Sequence, residues 1–241
     1  MTYSKTYSFK IQPQFVDFQF RVTMGALTDI LLTTAGMNAD DNGFGLRQLH
    51  AAKSSWVLLR LALEMVYFPE QYETIHVETW IEEIGRASTT RNFCIRNDKN
   101  EIIGNACSIW AMLDMETRRA KDLRSLDGIH NFASGIKGSI EPPIKILGVD
   151  GEIFDSFKVK YSDIDINQHV NSVRYINWIS DCFSLETYRT KAIKRFEINY
   201  MNEMLFDDKV VVFGRQIDEN DFKFEIRNDD KISCRVRILF K

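Results

Sequence analysis

No excess of positive charge is present in this 241-residue chain: 31 Lys and Arg stand against 34 Asp and Glu, a net charge of −3. That balance excludes a global attraction for nucleic acid and leaves only a local basic face open. Nor is there a long apolar run. The longest, WVLLRLALEMVYF, is interrupted by Arg60 and Glu64 and falls short of the ~20 residues that span a bilayer, so no membrane span is expected. The opening residues, MTYSKTYSFKIQPQF, show neither the apolar core of a signal peptide nor the Arg/Ser bias of a transit peptide, so a cytoplasmic protein is expected. Cysteine is scarce, and Cys94, Cys107, Cys182 and Cys234 make no CxxC pair; among apolar neighbours they read as buried, reduced thiols. His50, His76, His130 and His169 are scattered without HExxH or similar spacing, and no metal or cofactor is expected.

What is present is ordinary material for a folded protein, 44% hydrophobic and 27% charged, enough for one large domain or two smaller ones. Apolar and polar residues alternate from 7 to 23, an opening strand pair or extended arm. Leu27, Ile30, Leu31 and Ala35 recur at helical spacing, and the following GMNADDNGFG reads as a turn. HAAKSSWVLLRLALEMVYF has no single period and fits either a buried strand pair or a helix; strand is the reading favoured. From HVETW to AMLD, alternation broken at Gly85 and at NDKN gives at least three antiparallel strands. TRRAKDLRSL carries Arg118, Arg119, Lys121 and Arg124, a solvated face or a docking site for an acidic partner. Residues 128–150, rich in Gly and Pro, read as a connection. Beyond it come the strand FKVKYS, a helix over 172–188 and four more strands. The organisation expected is therefore a first unit over 1–130, a linker over 131–150 and a second unit over 151–241.

The two halves repeat each other. Phe93-Cys94-Ile95-Arg96-Asn97-Asp98 and Phe224-Glu225-Ile226-Arg227-Asn228-Asp229 both enter a hairpin, 131 positions apart, and FRVTM precedes the first helix as FKVKY precedes the second. A mostly apolar helix followed by antiparallel strands with one buried face is satisfied when a curved sheet wraps the helix. Two such units in tandem, an α+β fold, are expected.

The polar cluster YSDIDINQHVNSVRYINW, starting at Tyr161, precedes the second helix. Asp165, Asn167 and His169 fall on alternate positions, and in an extended segment they would share one side of the backbone. N–H groups at a helix start can hold an oxyanion, and Asn171 or Ser172 would cap the helix. Such a site could position a water and move its proton. The same residues are also common as caps and Asx-turns, and a single His is often structural.

These motifs together resemble a known family. GFG at 43–45, Trp56-Val57, YFPEQYETIHVETW, STTRNFCIRN, IWAMLDMETRRA and DINQHVNSVRYINW, in that order and over nearly the whole chain, are similar to the fatty acyl-ACP thioesterases of plants and their bacterial relatives. The resemblance implies a double hotdog fold and hydrolysis of a fatty acyl thioester. Its catalytic Asp, Asn and His land on Asp165, Asn167 and His169. A further acid, on the strand after the second helix, lands on Glu203. The family's following Cys is Met204 here, and a thioether cannot form a thiolate, so a Cys–His mechanism at this position is excluded.

The partner implied is an acyl carrier protein bearing a phosphopantetheine-linked fatty acyl chain, and a homodimer is left open. Glu203 or Asp165 would be the base, Asn167 and His169 would hold water or substrate, and N–H groups near Val170 and Asn171 would form the oxyanion hole. Leu27, Ile30, Leu31, Trp56, Leu58 and Trp80 would line an acyl slot in the first unit, or simply build its core. The competing functions are an acyl-CoA thioesterase and a non-catalytic acyl-binding protein. The complete Asp165, Asn167, His169, Glu203 set favours an enzyme.

Overall fold

A computed structural model describes residues 4–126 and 128–241, which cluster into two compact units, one of Met1–Thr23 with Leu27–Pro143 and one of Met24–Ala26 with Ile144–Lys241.

In the first unit, β1 (Ser4–Lys10), β2 (Ser54–Met65), β3 (Thr74–Ile84), β4 (Thr89–Asn97) and β5 (Ile102–Asp114) form an antiparallel sheet in the order β1-β3-β4-β5-β2, with the short β6 (Ala120–Lys121) beside β5. Two helices accompany it, α1 (Met24–Asp41) and α2 (Leu46–Ala51). Leu27, Ile30, Leu31 and Ala35 of α1 are buried, as their spacing requires. Asp41 of α1 accepts a hydrogen bond from Tyr7 of β1, while Ala39 belongs to a cluster packed against Trp56 of β2. β1 and β2 are the first and last of these five strands, which in a flat sheet would lie about 19 Å apart at ~4.8 Å per strand. One helix can touch both only if the sheet curls around it.

In the second unit, β7 (Glu152–Lys158), β8 (Ile193–Tyr200), β9 (Lys209–Gln216), β10 (Asp221–Asn228) and β11 (Lys231–Phe240) run in the order β8-β11-β10-β9-β7, with α3 (Ser172–Ser180) and α4 (Leu185–Thr190) before β8. The curl has the same signature. Tyr175 of α3 meets the Tyr200 ring of β8 at 5.9 Å, and Trp178 meets the Phe157 ring of β7 at 5.2 Å. Each unit is thus a helix wrapped by a curved antiparallel sheet.

The repeat extends to a defect. The β4–β5 ladder shifts register between Ile95 and Arg96, and the β10–β11 ladder shifts between Ile226 and Arg227, the same place in the two FxIRND segments. A bulge bends and twists its strand, so both sheets curl at an equivalent point.

Several boundaries differ from the sequence expectation. α1 runs through Gly36 to Asp41, and the turn expected from GMNADDNGFG begins only after it, because burial of Asn38 and Ala39 outweighs the local turn chemistry. His50 and Ala51 end α2, and β2 is one 12-residue strand rather than a pair. The helix expected over 172–188 is two: Phe183 turns in among Phe222, Phe224 and Phe240, and Ser184 caps α4 by accepting from the Thr187 N–H at 3.1 Å. No helix among the described residues is long and apolar enough to cross a membrane.

Candidate active site

The loop between β7 and α3 carries most of the polar cluster, and it is a closed turn rather than an extended segment. A bridge between Ile164 and Val170 pinches its base, Gln168 takes a positive φ of 65°, and the Asp165 N–H donates to the His169 carbonyl at 2.8 Å. Asp165 Oδ1 accepts from the backbone N–H of Asn167 at 2.8 Å and of His169 at 3.3 Å. This Asx-type bracing reverses the chain, so alternate residues do not share one side as they would in a strand. Asp165 therefore fixes the backbone from which Asn167 and His169 project. The Asn167 side chain is exposed at the tip.

Asn171 caps α3, its Oδ1 accepting from the Val173 N–H at 2.8 Å. The oxyanion donors expected near Val170 and Asn171 are already engaged: the Val170 N–H donates to the Met204 carbonyl and the Asn171 N–H to the Asp163 carbonyl, both at 2.8 Å. Asp163 also takes Arg174 Nε at 2.7 Å, locking the helix start to the turn before the loop.

Glu203 lies in the loop after β8, not on the strand, which ends at Tyr200. That loop is held on both sides of it. Asn202 Nδ2 donates to the Ile232 carbonyl at 2.7 Å, Met204 receives the Val170 N–H, and the Leu205 N–H donates to Asp208 Oδ2 at 2.8 Å. The Met204–Val170 bond joins the two loops directly, and it brings Glu203 Oε2 to 3.4 Å from His169 Nε2. The imidazole is 26% exposed and the carboxylate 44%, so water reaches both. Met204 itself is fully buried beside this pair. A carboxylate that orients or charges an imidazole next to water is a proton-moving arrangement.

No cysteine belongs to the pair. All four are free thiols; burial pushes Cys94 up, Cys182 up to about 12 and Cys234 higher still, the reverse of an activated nucleophile. Among the described residues no cluster of three or more His, Cys, Asp or Glu is arranged to hold a metal.

The first unit contains a cavity of about 210 Å³ lined by, among others, Leu32, Ala35, Phe44, Trp56 and Trp110. Of the slot residues expected from sequence only Trp56 lines it; Leu27, Ile30, Leu31 and Leu58 are core, and Trp80 donates its indole N–H to the Ile136 carbonyl. Of the basic run, Lys121 donates to Ser54 Oγ at 2.8 Å and Arg124 pairs with Asp122 at 2.6 Å.

Residues 2–125 match the acyl-ACP thioesterase N-terminal domain and residues 149–241 the acyl-ACP thioesterase C-terminal domain. The chain belongs to the acyl-ACP thioesterase family. It is similar to an acyl-ACP thioesterase of Bacteroides thetaiotaomicron of solved structure, with 40% identity, a TM-score of 0.94, and coverage of 99% of this chain and 98% of that one. The 12:0-ACP thioesterase from Umbellularia californica shares the fold, at a TM-score of 0.86 and 18% identity over 100% of this chain and 98% of that one. The oleoyl-acyl carrier protein thioesterase of Coriandrum sativum is 26% identical over 78% of this chain. The chain spans about half the length of such curated relatives, 56% in the coriander case. Within the chain, the paired loops bring Glu203 from the C-terminal end of β8 to His169 at the N-terminal end of α3.

Proposed function

We propose that this chain hydrolyses the thioester of a fatty acyl group carried on the phosphopantetheine arm of an acyl carrier protein, with water as nucleophile. The observation that carries the reading is the His169–Glu203 pair, 3.4 Å apart and open to water, in a chain whose two halves both match the family. Glu203 and His169 take the proton of a water whose oxygen attacks the thioester carbonyl carbon. The tetrahedral oxyanion then collapses, the C–S bond breaks, and the sulfur leaves as a thiolate that takes up a proton. A thiol of pKa about 8.5 needs little acid assistance to leave, so the demanding step is activation of the water. Asp165 acts by holding the turn, and Asn167, exposed at its tip, binds the carbonyl or the water. With Met204 in the family's Cys position, no acyl-enzyme forms there.

The cavity of the first unit takes the acyl chain. A cavity of about 150 Å³ accommodates benzene, so about 210 Å³ has room for roughly eight carbons. The acidic carrier docks partly through the basic run from Arg118 to Arg124, where charge complementarity mainly raises the association rate. The test is thiol release measured side by side from acyl-ACP and acyl-CoA over a range of chain lengths. Turnover of acyl-ACP with a kcat/KM well above that of acyl-CoA is expected. Equal rates would make it an acyl-CoA thioesterase, and absence of any release would leave an acyl-binding protein.

A further inference from the structure

Arg91 is out of place in the wall of an apolar cavity. It sits on β4, is 5% exposed, and lines the same cavity as Phe44, Trp56 and Trp110. Its recorded hydrogen bonds within the described residues both leave from Nη1, to Asn38 Oδ1 at 2.8 Å and Thr79 Oγ1 at 3.2 Å, and it forms no ion pair there. A guanidinium has five N–H donors in a fixed fork. Nη1 commits two, which leaves three on Nη2 and Nε without a protein acceptor. The carboxylate of Asp41, at the end of α1, is taken by Lys5 and by the Tyr7 hydroxyl. Burial also draws the Arg91 guanidinium down to about 10, still far above neutral pH, so the charge is retained.

The other polar groups of the wall are answered within the protein. The Trp56 indole N–H donates to the Phe44 carbonyl, that of Trp110 to Ser108 Oγ, and the Thr89 hydroxyl to the Glu83 carbonyl. Arg91 is the lining group with donors to offer. A plain methylene chain against it would displace any water and leave those donors unpaired, which is unfavourable; an oxygen on the chain would answer them.

We infer that Arg91 is a specificity-determining residue, and that the acyl chains this cavity selects carry a hydrogen-bond-accepting oxygen, as a hydroxyl or keto group, which meets its uncommitted N–H donors. The inference rests on the reading that the cavity takes the acyl chain. A site built to hydrogen-bond a substrate oxygen discriminates against the analogue lacking it far more strongly than an apolar pocket discriminates between chain lengths.

The experiment compares acyl-ACP substrates of one length, unsubstituted or bearing a hydroxyl or keto group at successive positions, on the wild-type protein and on Arg91→Met, which keeps most of the volume and removes the donors. At one oxygen position the wild type should show a kcat/KM about tenfold or more above that for the plain chain. Arg91→Met should lose that preference and turn over the plain chain as well as or better than the wild type. No preference at any position in the wild type, or a preference that survives in Arg91→Met, overturns the inference. Calorimetric binding of free hydroxy and unsubstituted fatty acids to the wild type supplies a second readout that needs neither turnover nor a folded variant. Tighter binding of a hydroxy acid supports the role of Arg91, and equal binding across the series overturns it. If no thioester is hydrolysed, the proposed function fails while this binding comparison still decides the inference.

Discussion

Glu203→Gln separates chemistry from stability because of how the pair is placed. The substitution keeps the side chain's shape and removes its charge and its capacity to accept a proton. The carboxylate is 3.4 Å from His169 Nε2 and 44% exposed. A solvent-screened pair at such a distance contributes about 0–1 kcal/mol, which for a chain of 241 residues is a melting shift below about 4 °C. If Glu203 takes the water's proton or orients the imidazole that does, kcat should fall by roughly 10²- to 10⁴-fold, about 3–5 kcal/mol of barrier, with KM little changed. His169→Ala should lower kcat comparably, and the double variant should be scarcely worse than either single one, since members of one constellation act together. The assay is steady-state thiol release normalised to folded protein, alongside a thermal melt of each variant. A folded Glu203→Gln enzyme within about threefold of the wild-type kcat would refute the assignment. So would activity that falls only as far as the melting temperature does, since that marks a bracing role.

Thiol reagents should leave turnover intact, because none of the four cysteines belongs to the His169–Glu203 pair and burial raises Cys94, Cys182 and Cys234 away from thiolate; loss of activity on alkylation of a still-folded sample would contradict this. Asn171→Ala removes the cap of α3 and should destabilise by about 1 kcal/mol, a fall of roughly 2–4 °C in a thermal melt, and an unchanged melt would show that the Val173 N–H finds another acceptor. Gly36 lies within α1 on the cavity wall, and an added Cβ there meets nothing within 4 Å. Gly36→Ala should therefore stabilise by about 1 kcal/mol through helix propensity. Gly36→Leu should fill the cavity and shift the chain-length profile toward shorter acyl groups, and an unaltered profile would place the acyl chain elsewhere.

Strands were the most legible elements, because each half buries one face of its sheet and writes a two-residue period into the chain. The FxIRND repeat was legible as residues, and the bulge it carries was not, since nothing in Ile95-Arg96 or Ile226-Arg227 marks a register shift locally. The helix boundaries failed where burial overruled local preference, at Asn38 and Ala39 in α1 and at Phe183 between α3 and α4. In the site, spacing singled out Asp165, Asn167 and His169, and the likeness to a family added Glu203. Spacing alone misjudged their geometry: alternation suggested a strand, whereas the Asp165 carboxylate closes a turn that only a hydrogen-bond map reveals. The N–H groups of Val170 and Asn171 were misread for the same reason, their acceptors at Met204 and Asp163 lying far off or across the turn. Arg91 was missed because an Arg on a strand reads as a solvent-facing residue; its absence of an acidic partner becomes visible only once its neighbours are known.

The duplicated hairpins share even their bulge, and the two copies share the closed turn at the entry to the helix as well. In each, thirteen residues separate the first strand from the helix, 11–23 and 159–171, and Asp17 Oδ1 accepts from the N–H groups of Gln19 at 2.7 Å and Arg21 at 3.1 Å as Asp165 Oδ1 does from those of Asn167 and His169. What differs is what the turn carries, Gln19 and Arg21 in the first copy where the second has Asn167 and His169, and the helix after it, 18 residues long against 9 for α3. The duplicated scaffold thus presents different side chains from one and the same turn. Substitutions around Gly36 and Arg91 can then accumulate without touching the residues around His169, so the cavity wall and the paired loops are free to change separately.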